Sequence, residues 1–488
     1  MVTPEQNIPT IFTAFGATGD LMRIKVVPAL FNLFQKGELP KMFRVVGFSR
    51  RSWSDAQYRE YIEEILTQYG TGATPQETIA AFLQLFHFQE GTFENDASYA
   101  ALKSKFDSLD GEWGVCANKL FYLAVAPEFF DGIVRKLDAS RLTEPCLPRE
   151  MAAPPISWGE PLEGWTRVIV EKPFGTDDGT ARALDVLLGE LFEEKQIYRI
   201  DHYLAKEMLQ NILTFRFANN LFELSWGKDL IESIHIRLLE KVGVEKRGAY
   251  YDKNGALRDV GQNHVLQMLA LLVMERPQSF DTDVIRGKRA EILQALSLLS
   301  EDEVRQDTMR AQYEGYRVID GVAPDSETET YFKVTAHLDH PRWAGVPIIL
   351  EGGKRLGEPL KEAVITFTHP QPCLCPDGRH HKNGVIIRME PQEEIIIEFW
   401  SKKPGLAMQT EARQFHFLLR EQTARMQYTE EYERLLLDCI RGDQTLFITT
   451  DEIRAMWRFV DPILATWARG VPALTSYAPD TRDITEIS

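Results

Sequence analysis

Ile11-Phe12-Thr13-Ala14-Phe15-Gly16-Ala17-Thr18-Gly19-Asp20-Leu21 is the stretch on which the fold turns. An apolar run breaks at a turn bounded by two glycines, and a helical pattern follows through Leu30, Phe31, Leu33 and Phe34. Strand, tight turn, helix is the opening of a dinucleotide-binding unit, because glycines let the main chain approach a pyrophosphate and the helix N-terminus faces it. A plain turn is the alternative for the glycine pair taken alone. Pro28, inside the helical pattern, argues against a fully regular helix.

The next strand, predicted at Arg44 to Phe48, runs into Ser49-Arg50-Arg51. NAD-specific folds place an acid there for the ribose hydroxyls; two guanidinium groups and a hydroxyl suit a 2′-phosphate and predict a preference for NADP. A solvated arginine pair is the other reading. Ser54-x-x-Gln57 and Thr74-Pro75-Gln76-Glu77 read as capped helix starts, and further strands are predicted at Leu120 to Val125 and Arg167 to Val170. Alternating strands and helices imply a parallel, doubly wound, Rossmann-type α/β domain, taken as residues 1–200. Five prolines between Arg141 and Trp165 mark a surface excursion.

Beyond about residue 200 the texture changes. Helices are expected at about Leu204 to Asn219 and Ala256 to Met274, flanking a strand at Ser233 to Leu239. From Thr330 to Leu419 strand-like runs dominate, such as Tyr331 to Val334, Ala363 to Phe367 and Ile395 to Phe399. Short turns between them imply an α+β domain, residues 201–488, with a large, mostly antiparallel sheet and helices on one face.

Composition bounds the partners. Of 488 residues, 55 are Lys or Arg and 72 Asp or Glu, a formal charge of −17, which argues against nucleic-acid binding because phosphate contacts need a basic face. The 44% hydrophobic fraction is that of an ordinary globular chain. Five scattered cysteines are too few for a disulfide framework and point to a reducing compartment. The N-terminus lacks a signal-peptide layout, and the most apolar run, Val265 to Met274, is too short to span a bilayer. A cytoplasmic protein with no membrane association is expected.

Several segments carry candidate chemistry. Glu171-Lys172-Pro173-Phe174-Gly175 falls at a strand's C-terminal end, where Lys172 can reach a sugar or nicotinamide and Pro173 can fix a kinked or cis link; a mere strand end is the alternative. In Arg199-Ile200-Asp201-His202-Tyr203-Leu204-Ala205-Lys206-Glu207, a helix starting near His202 would put His202 and Lys206 on one face with Tyr203 adjacent, three donors suited to a phosphate dianion. Asp201 either caps that helix or orients a catalytic histidine. His264, in Asp259-Val260-Gly261-Gln262-Asn263-His264, taken alone reads more readily as a structural core histidine than as a base; pairing with Asp201 would reverse that. Glu240 and Asp259 can accept from sugar hydroxyls, and Lys354 sits on the turn Gly352-Gly353-Lys354-Arg355. Cys373-x-Cys375 with His380-His381 matches no closed zinc pattern, so no metal is expected.

Together these segments resemble the glucose-6-phosphate dehydrogenase family, in order and over nearly the whole chain. The resemblance rests on Gly-x-x-Gly-Asp-Leu at 16, Phe121-Tyr122-Leu123-Ala124, Glu-Lys-Pro-Phe-Gly at 171 and the nine-residue motif at 199. Arg258-Asp259-Val260-x-Gln262-Asn263-His264, Arg342-Trp343-x-Gly345-Val346-Pro347 and Lys402-Lys403-Pro404-Gly405 continue it. It implies NADP-dependent oxidation of glucose 6-phosphate at C1, in the oxidative pentose phosphate pathway, by a homodimer or homotetramer. It implies His264 as the base and Asp201 as its partner. His202, Tyr203 and Lys206 would hold the 6-phosphate, Glu240 and Asp259 the sugar hydroxyls, Lys354 the substrate, and Lys172 both substrate and cofactor. Gly16, Ala17, Thr18, Gly19, Asp20, Leu21 and Arg23, with Ser49, Arg50 and Tyr122, would line the NADP site.

Three departures stand out. Ala205 replaces the glycine usual in the phosphate motif. Pro359 stands where the family usually has a second basic residue five positions after Lys354, leaving Arg355 or Lys361 to compensate. The chain ends at Ser488 without the longer tail of animal-type members, so a second, structural NADP is not expected. Two rivals stay open: an inositol-dehydrogenase-type sugar oxidoreductase, which would lack the His-Tyr-x-x-Lys cluster, and a catalytically silent NADP-binding regulator, against which Lys172, Asp201 and His264 argue.

Overall fold

The apolar run at residue 11 is the strand β1 (Thr10–Phe15), buried along its whole length. The computed structural model describes residues 9–69, 74–144, 164–373, 375, 380–419 and 430–481, so most of the proline-rich excursion lies outside the described residues. The chain divides into two compact units, one of residues 1–175, 179–205 and 428–449, the other of 176–178, 206–427 and 450–488. The sequence reading placed a single boundary at 200/201; the contacts place it near 205/206 and return a late segment to the first unit.

In the first unit β1, β2 (Phe43–Ser49), β3 (Phe86–Glu90), β4 (Asn118–Leu123), β5 (Thr166–Val170) and β6 (Ile197–Ile200) pair in parallel, alternating with helices. The strand order is β15-β6-β5-β4-β1-β2-β3, where β15 (Phe447–Ile448) runs antiparallel to β6. The chain winds outward from β1 in one direction and from β4 in the other, so the order reverses between them, and ligands of such sheets bind beyond the carboxyl ends at that point. The helix Glu431–Arg441 belongs here because its Glu433 accepts from Asn32 at 2.6 Å and pairs with Lys36 at 2.5 Å.

Local chemistry sets the helix starts. Ser54 N donates to Gln57 Oε1 at 2.9 Å and Gln57 N to Ser54 Oγ at 3.3 Å, the reciprocal cap expected there. The corresponding cap at Thr74 does not form: the Thr74 hydroxyl accepts from Gln35 Nε2 at 3.0 Å instead, and Pro75 precedes the helix Gln76–Leu83. After the glycine turn comes a wide π-helical turn, Met22–Val26, then the helix Val27–Gln35, whose first turn holds Pro28 where a missing N–H costs nothing. Cys116 is disulfide-bonded, so the scattered cysteines do include a cross-link, though one falls short of a framework.

The second unit is built on a nine-stranded sheet among the described residues, ordered β14-β13-β12-β11-β7-β10-β9-β8-β16. Its strands are β7 (Ile231–Leu239), β8 (Thr308–Tyr313), β9 (Tyr331–Ala336), β10 (Ile348–Gly353), β11 (Leu360–Phe367), β12 (Gly384–Glu390), β13 (Glu394–Lys402), β14 (Thr410–Leu418) and β16 (Thr475–Tyr477). Pairing is antiparallel except for β10 with β7 and β16 with β8. On β7, Ile234, Ile236 and Leu238 are buried while His235 and Arg237 on the other face are only half-buried, the period-two pattern of a sheet covered on one side. No helix among the described residues is long and apolar enough to cross a membrane.

The expected helix from Ala256 to Met274 is three segments in the structure. The helix Gly248–Ala256 ends in a kink at Gly255, whose φ of +73° only glycine adopts easily and whose absent Cβ leaves room for the Glu329 carboxylate. A π-helical stretch, Leu257–Val265, and an α-helix, Leu266–Val273, follow. Glu329 fastens the junction by accepting from Leu257 N at 3.0 Å.

Candidate active site

In the first unit, Gly16 ends β1 with φ +83°, and a Cβ there would lie 2.3 Å from the Ala124 carbonyl. Only glycine fits, so the turn is committed to close main-chain packing at the point where the strand order reverses. Gly16 N and Ala17 N reach the Phe48 carbonyl at 3.3 and 3.5 Å, and Gly19 N bonds Gly16 O at 2.9 Å. These bonds tie the turn to the end of β2. There the Thr18 and Ser49 hydroxyls lie 3.5 Å apart. Asp20 is exposed and pairs with Arg23 at 2.9 Å, while Leu21 is half-buried. Arg50 is exposed with no ion pair among the described residues, whereas Arg51 lies over the Trp53 ring at 4.7 Å. Of the two arginines, Arg50 is the one whose guanidinium is at liberty to take a phosphate.

Tyr122 occupies β4 beside this turn, but its side chain is wholly buried and its hydroxyl donates to Glu171 at 2.7 Å. Tyr432 donates to the same carboxylate at 3.1 Å. Burial pushes the Glu171 carboxyl up to about 6 against the two tyrosine hydrogen bonds, which act to lower it. Glu171 is thus a structural hub that sequence reading passed over, although it was quoted within the Glu-Lys-Pro motif. The Lys172–Pro173 peptide is cis, and Lys172 is half-buried.

Asp201 and Tyr203 are buried, and His202 is half-buried with its ring 5.0 Å from that of Tyr203. The expected helix start at His202 is overturned: the helix is Glu207–Phe217, and Lys206 precedes it with extended backbone. Asp201 causes the delay. Its carboxylate accepts from Tyr203 N at 2.9 Å and its carbonyl from Leu204 N at 3.1 Å, a local turn that competes with helix formation. His202 and Lys206 therefore do not share a helical face.

In the second unit Glu240, Asp259 and Lys354, distant in sequence, converge. Lys354 forms an ion pair with Glu240 and lies 3.5 Å from the Asp259 carboxylate, with its ammonium 5.4 Å from the centre of the Tyr251 ring. Two features fix the lysine's main chain: its N–H donates to Thr330 O at 2.9 Å, and its carbonyl accepts from Tyr477 at 2.6 Å. Tyr251, a residue that sequence reading missed, is buried with a hydroxyl lacking a hydrogen-bond partner among the described residues. Burial, then the Asp259 charge, pushes that phenol far above its ordinary range, so it remains a neutral donor. The adjacent pair Tyr250-Tyr251 was the available signal.

His264 is buried in the π-helical stretch that also carries Asp259, a geometry found often at functional sites. Its main-chain N–H donates to Asn263 Oδ1 at 2.6 Å, and the Asn263 side-chain amide donates to the Asp259 main-chain carbonyl at 3.2 Å. Of the two candidates for the role left open by Pro359, Arg355 lies 3.6 Å from Asp480 and Lys361 bonds Glu390 at 2.8 Å. Two acceptor carboxylates, an ammonium and a phenol on one patch have the chemistry to hold a polyhydroxylated, anionic ligand.

Comparison with known proteins places the whole chain in a family. Residues 13–211 match the family model described as glucose-6-phosphate dehydrogenase, NAD binding domain, and residues 213–487 its C-terminal domain. The chain is 36% identical over 482 residues to glucose-6-phosphate 1-dehydrogenase of Chlamydia pneumoniae, covering 95% of this chain and 91% of that one. It is 35% identical over 485 residues to glucose-6-phosphate 1-dehydrogenase 6, cytoplasmic, of Arabidopsis thaliana, covering 99% and 90%. Among solved structures, a glucose-6-phosphate dehydrogenase in complex with its substrate glucose-6-phosphate superposes with a TM-score of 0.88 at 32% identity, covering 100% of this chain and 97% of that one. Matched by the family's models from residue 13 to residue 487 and by relatives along their own length, the chain belongs to the glucose-6-phosphate dehydrogenase family.

Proposed function

We propose that the protein oxidises C1 of D-glucose 6-phosphate to 6-phospho-D-glucono-1,5-lactone with NADP as acceptor, opening the oxidative pentose phosphate pathway. The observation that carries this reading is the convergence of Glu240, Asp259 and Lys354, the positions the family resemblance gives to substrate. The glycine turn at Gly16 and the uncommitted Arg50 suit a dinucleotide bearing a 2′-phosphate. When bound, that cofactor supplies the hydride acceptor.

In this account His264 removes the proton of the C1 hydroxyl as the C1 hydrogen leaves as hydride, so no full positive charge builds at carbon. Asp201 supports the imidazole by favouring its protonated form. His202, Tyr203 and Lys206 hold the 6-phosphate, Glu240 and Asp259 accept from sugar hydroxyls, Lys354 balances those two carboxylates, and Lys172 serves substrate and cofactor. The protein acts in the cytoplasm, as the name of the Arabidopsis relative says of that protein. It assembles as a homodimer or homotetramer through the second sheet, where Phe415 and Phe417 on β14, on the face that carries Ile234 and Ile236, are more than half exposed.

The test is product identification. Nuclear magnetic resonance of a turnover mixture should show one lactone, opening to 6-phosphogluconate, per NADPH formed. Oxidation at any other carbon would overturn the assignment of His264 to the C1 hydroxyl.

A further inference from the structure

The loop joining β11 to β12 carries chemistry that the dehydrogenase reaction does not use. It leaves the sheet after Phe367, and the proposed substrate cluster adjoins the opposite end of β11, where Leu360 pairs with Leu239. At about 3.4 Å per residue the eight-residue strand separates the two by about 20–25 Å.

His369 Nδ1 lies 2.9 Å from the His381 carbonyl. A carbonyl only accepts, so Nδ1 carries the proton and Nε2 presents a lone pair. That Nε2 is shielded from solvent and meets no well-formed hydrogen bond among the described residues, although the Cys373 side chain lies beside the imidazole. The imidazole is held as metal-bound histidines are, one nitrogen tied to an acceptor and the other bare. The ligand atoms of His369, Cys373 and His380 all lie within 4.8 Å of one another. The neighbouring His381 is engaged elsewhere, stacked on Trp400 at 3.7 Å with Nε2 3.1 Å from the Thr410 hydroxyl. Of the His380-His381 pair, the second anchors the loop to the sheet and the first joins the cluster. The Cys373 thiol also hydrogen-bonds with Cys375, through both its main chain and its side chain, which brings a second thiol to the cluster.

We propose that His369, Cys373, Cys375 and His380 form a closed, structural site for a zinc-class divalent cation. Two thiolates and two imidazoles form one of the donor sets of tetrahedral structural zinc, with metal–ligand distances of about 2.0–2.3 Å reached by side-chain rotation. No acidic ligand or open position is included, which separates it from a catalytic or calcium site. Sequence reading dismissed the segment because the Cys-x-Cys and His-His spacing fits no closed pattern; the missing ligand, His369, lies upstream at the strand end. The bound cation cross-links the two legs of the loop.

Cobalt(II) titration of the full-length protein, with thiols kept reduced by a phosphine, reads the site directly. One equivalent should bind with tetrahedral ligand-field bands and thiolate-to-cobalt charge transfer, and zinc should displace it. Cys373→Ser and His380→Ala should each abolish the charge-transfer signal or shift its stoichiometry while far-ultraviolet circular dichroism stays unchanged. Cobalt uptake without charge transfer, or a spectrum unchanged in Cys373→Ser, would overturn the proposal.

Discussion

The ammonium of Lys354 stands 3.5 Å from the carboxylate of Asp259, bringing a turn after β10 against the π-helical stretch that carries His264. Lys354 also pairs with Glu240, so one cation offsets two acids at a position where a sugar phosphate is expected. Replacing Lys354 with Gln removes that charge while retaining a donor. A charge-assisted hydrogen bond is worth about 1.5–3 kcal/mol, so KM for glucose 6-phosphate should rise by about 10- to 150-fold. Steady-state kinetics beside a thermal melt would decide it. A lower melting temperature with unchanged KM would mean that Lys354 serves only to neutralise its neighbours.

His264→Asn keeps a polar side chain in the buried π-helical stretch and removes the base. A positioned base contributes about 10²–10⁴-fold, so kcat should fall by that factor with KM little changed. A variant with near-normal kcat would assign His264 to the core, the bland reading its apolar surroundings first suggested.

Arg50 is exposed and uncommitted to any carboxylate among the described residues. Arg50→Ala should raise KM for NADP by about tenfold or more, as expected for one charge-assisted contact to a 2′-phosphate, and leave KM for NAD nearly unaltered. Equal effects on both cofactors would mean that the 2′-phosphate is read elsewhere.

Glu171 predicts a pH signature in stability. Its carboxyl, pushed up to about 6 from an ordinary 4.5, holds its proton more tightly in the folded chain than in the unfolded one. Folding is therefore favoured below pH 4.5, and that contribution is lost as pH rises through about 6, a difference of about 2 kcal/mol at most. Glu171→Gln keeps acceptors for Tyr122 and Tyr432 without the charge. Its advantage over the unaltered protein, read from chemical denaturation, should be near zero at pH 4.5 and level off above pH 6 to 7. A pH-independent difference would contradict the burial argument.

Much of this arrangement was legible in the sequence, for identifiable reasons. The run ending at Gly16 had to be a strand because its apolar residues are continuous and its glycine turn needs a positive φ. The strands at Ile234, Ala363 and Ile395 announced themselves through branched apolar residues, with alternating burial on the first of them. What sequence periodicity missed were contests settled by single groups. Asp201 spends its carboxylate on Tyr203 N and so delays a helix to Glu207. Thr74 gives its hydroxyl to Gln35 rather than to a helix end. Gly255 and the π-helical stretch divide what read as one apolar helix. Phe447–Ile448, two residues long, carries no periodic signal, and only long-range pairing with β6 places it in the first sheet. The convergence of Glu240, Asp259 and Lys354 was likewise invisible to local pattern, because each comes from a different strand end or helix; only the family resemblance grouped them.

The central claim, a dehydrogenase built for a phosphorylated sugar, is tested most directly by comparing kcat/KM for glucose 6-phosphate and for glucose with NADP in one assay of reduced-nicotinamide absorbance. Loss of several charge-assisted contacts to the phosphate should cost glucose about 10³-fold or more. Comparable turnover of the two sugars, or none with either, would contradict the account.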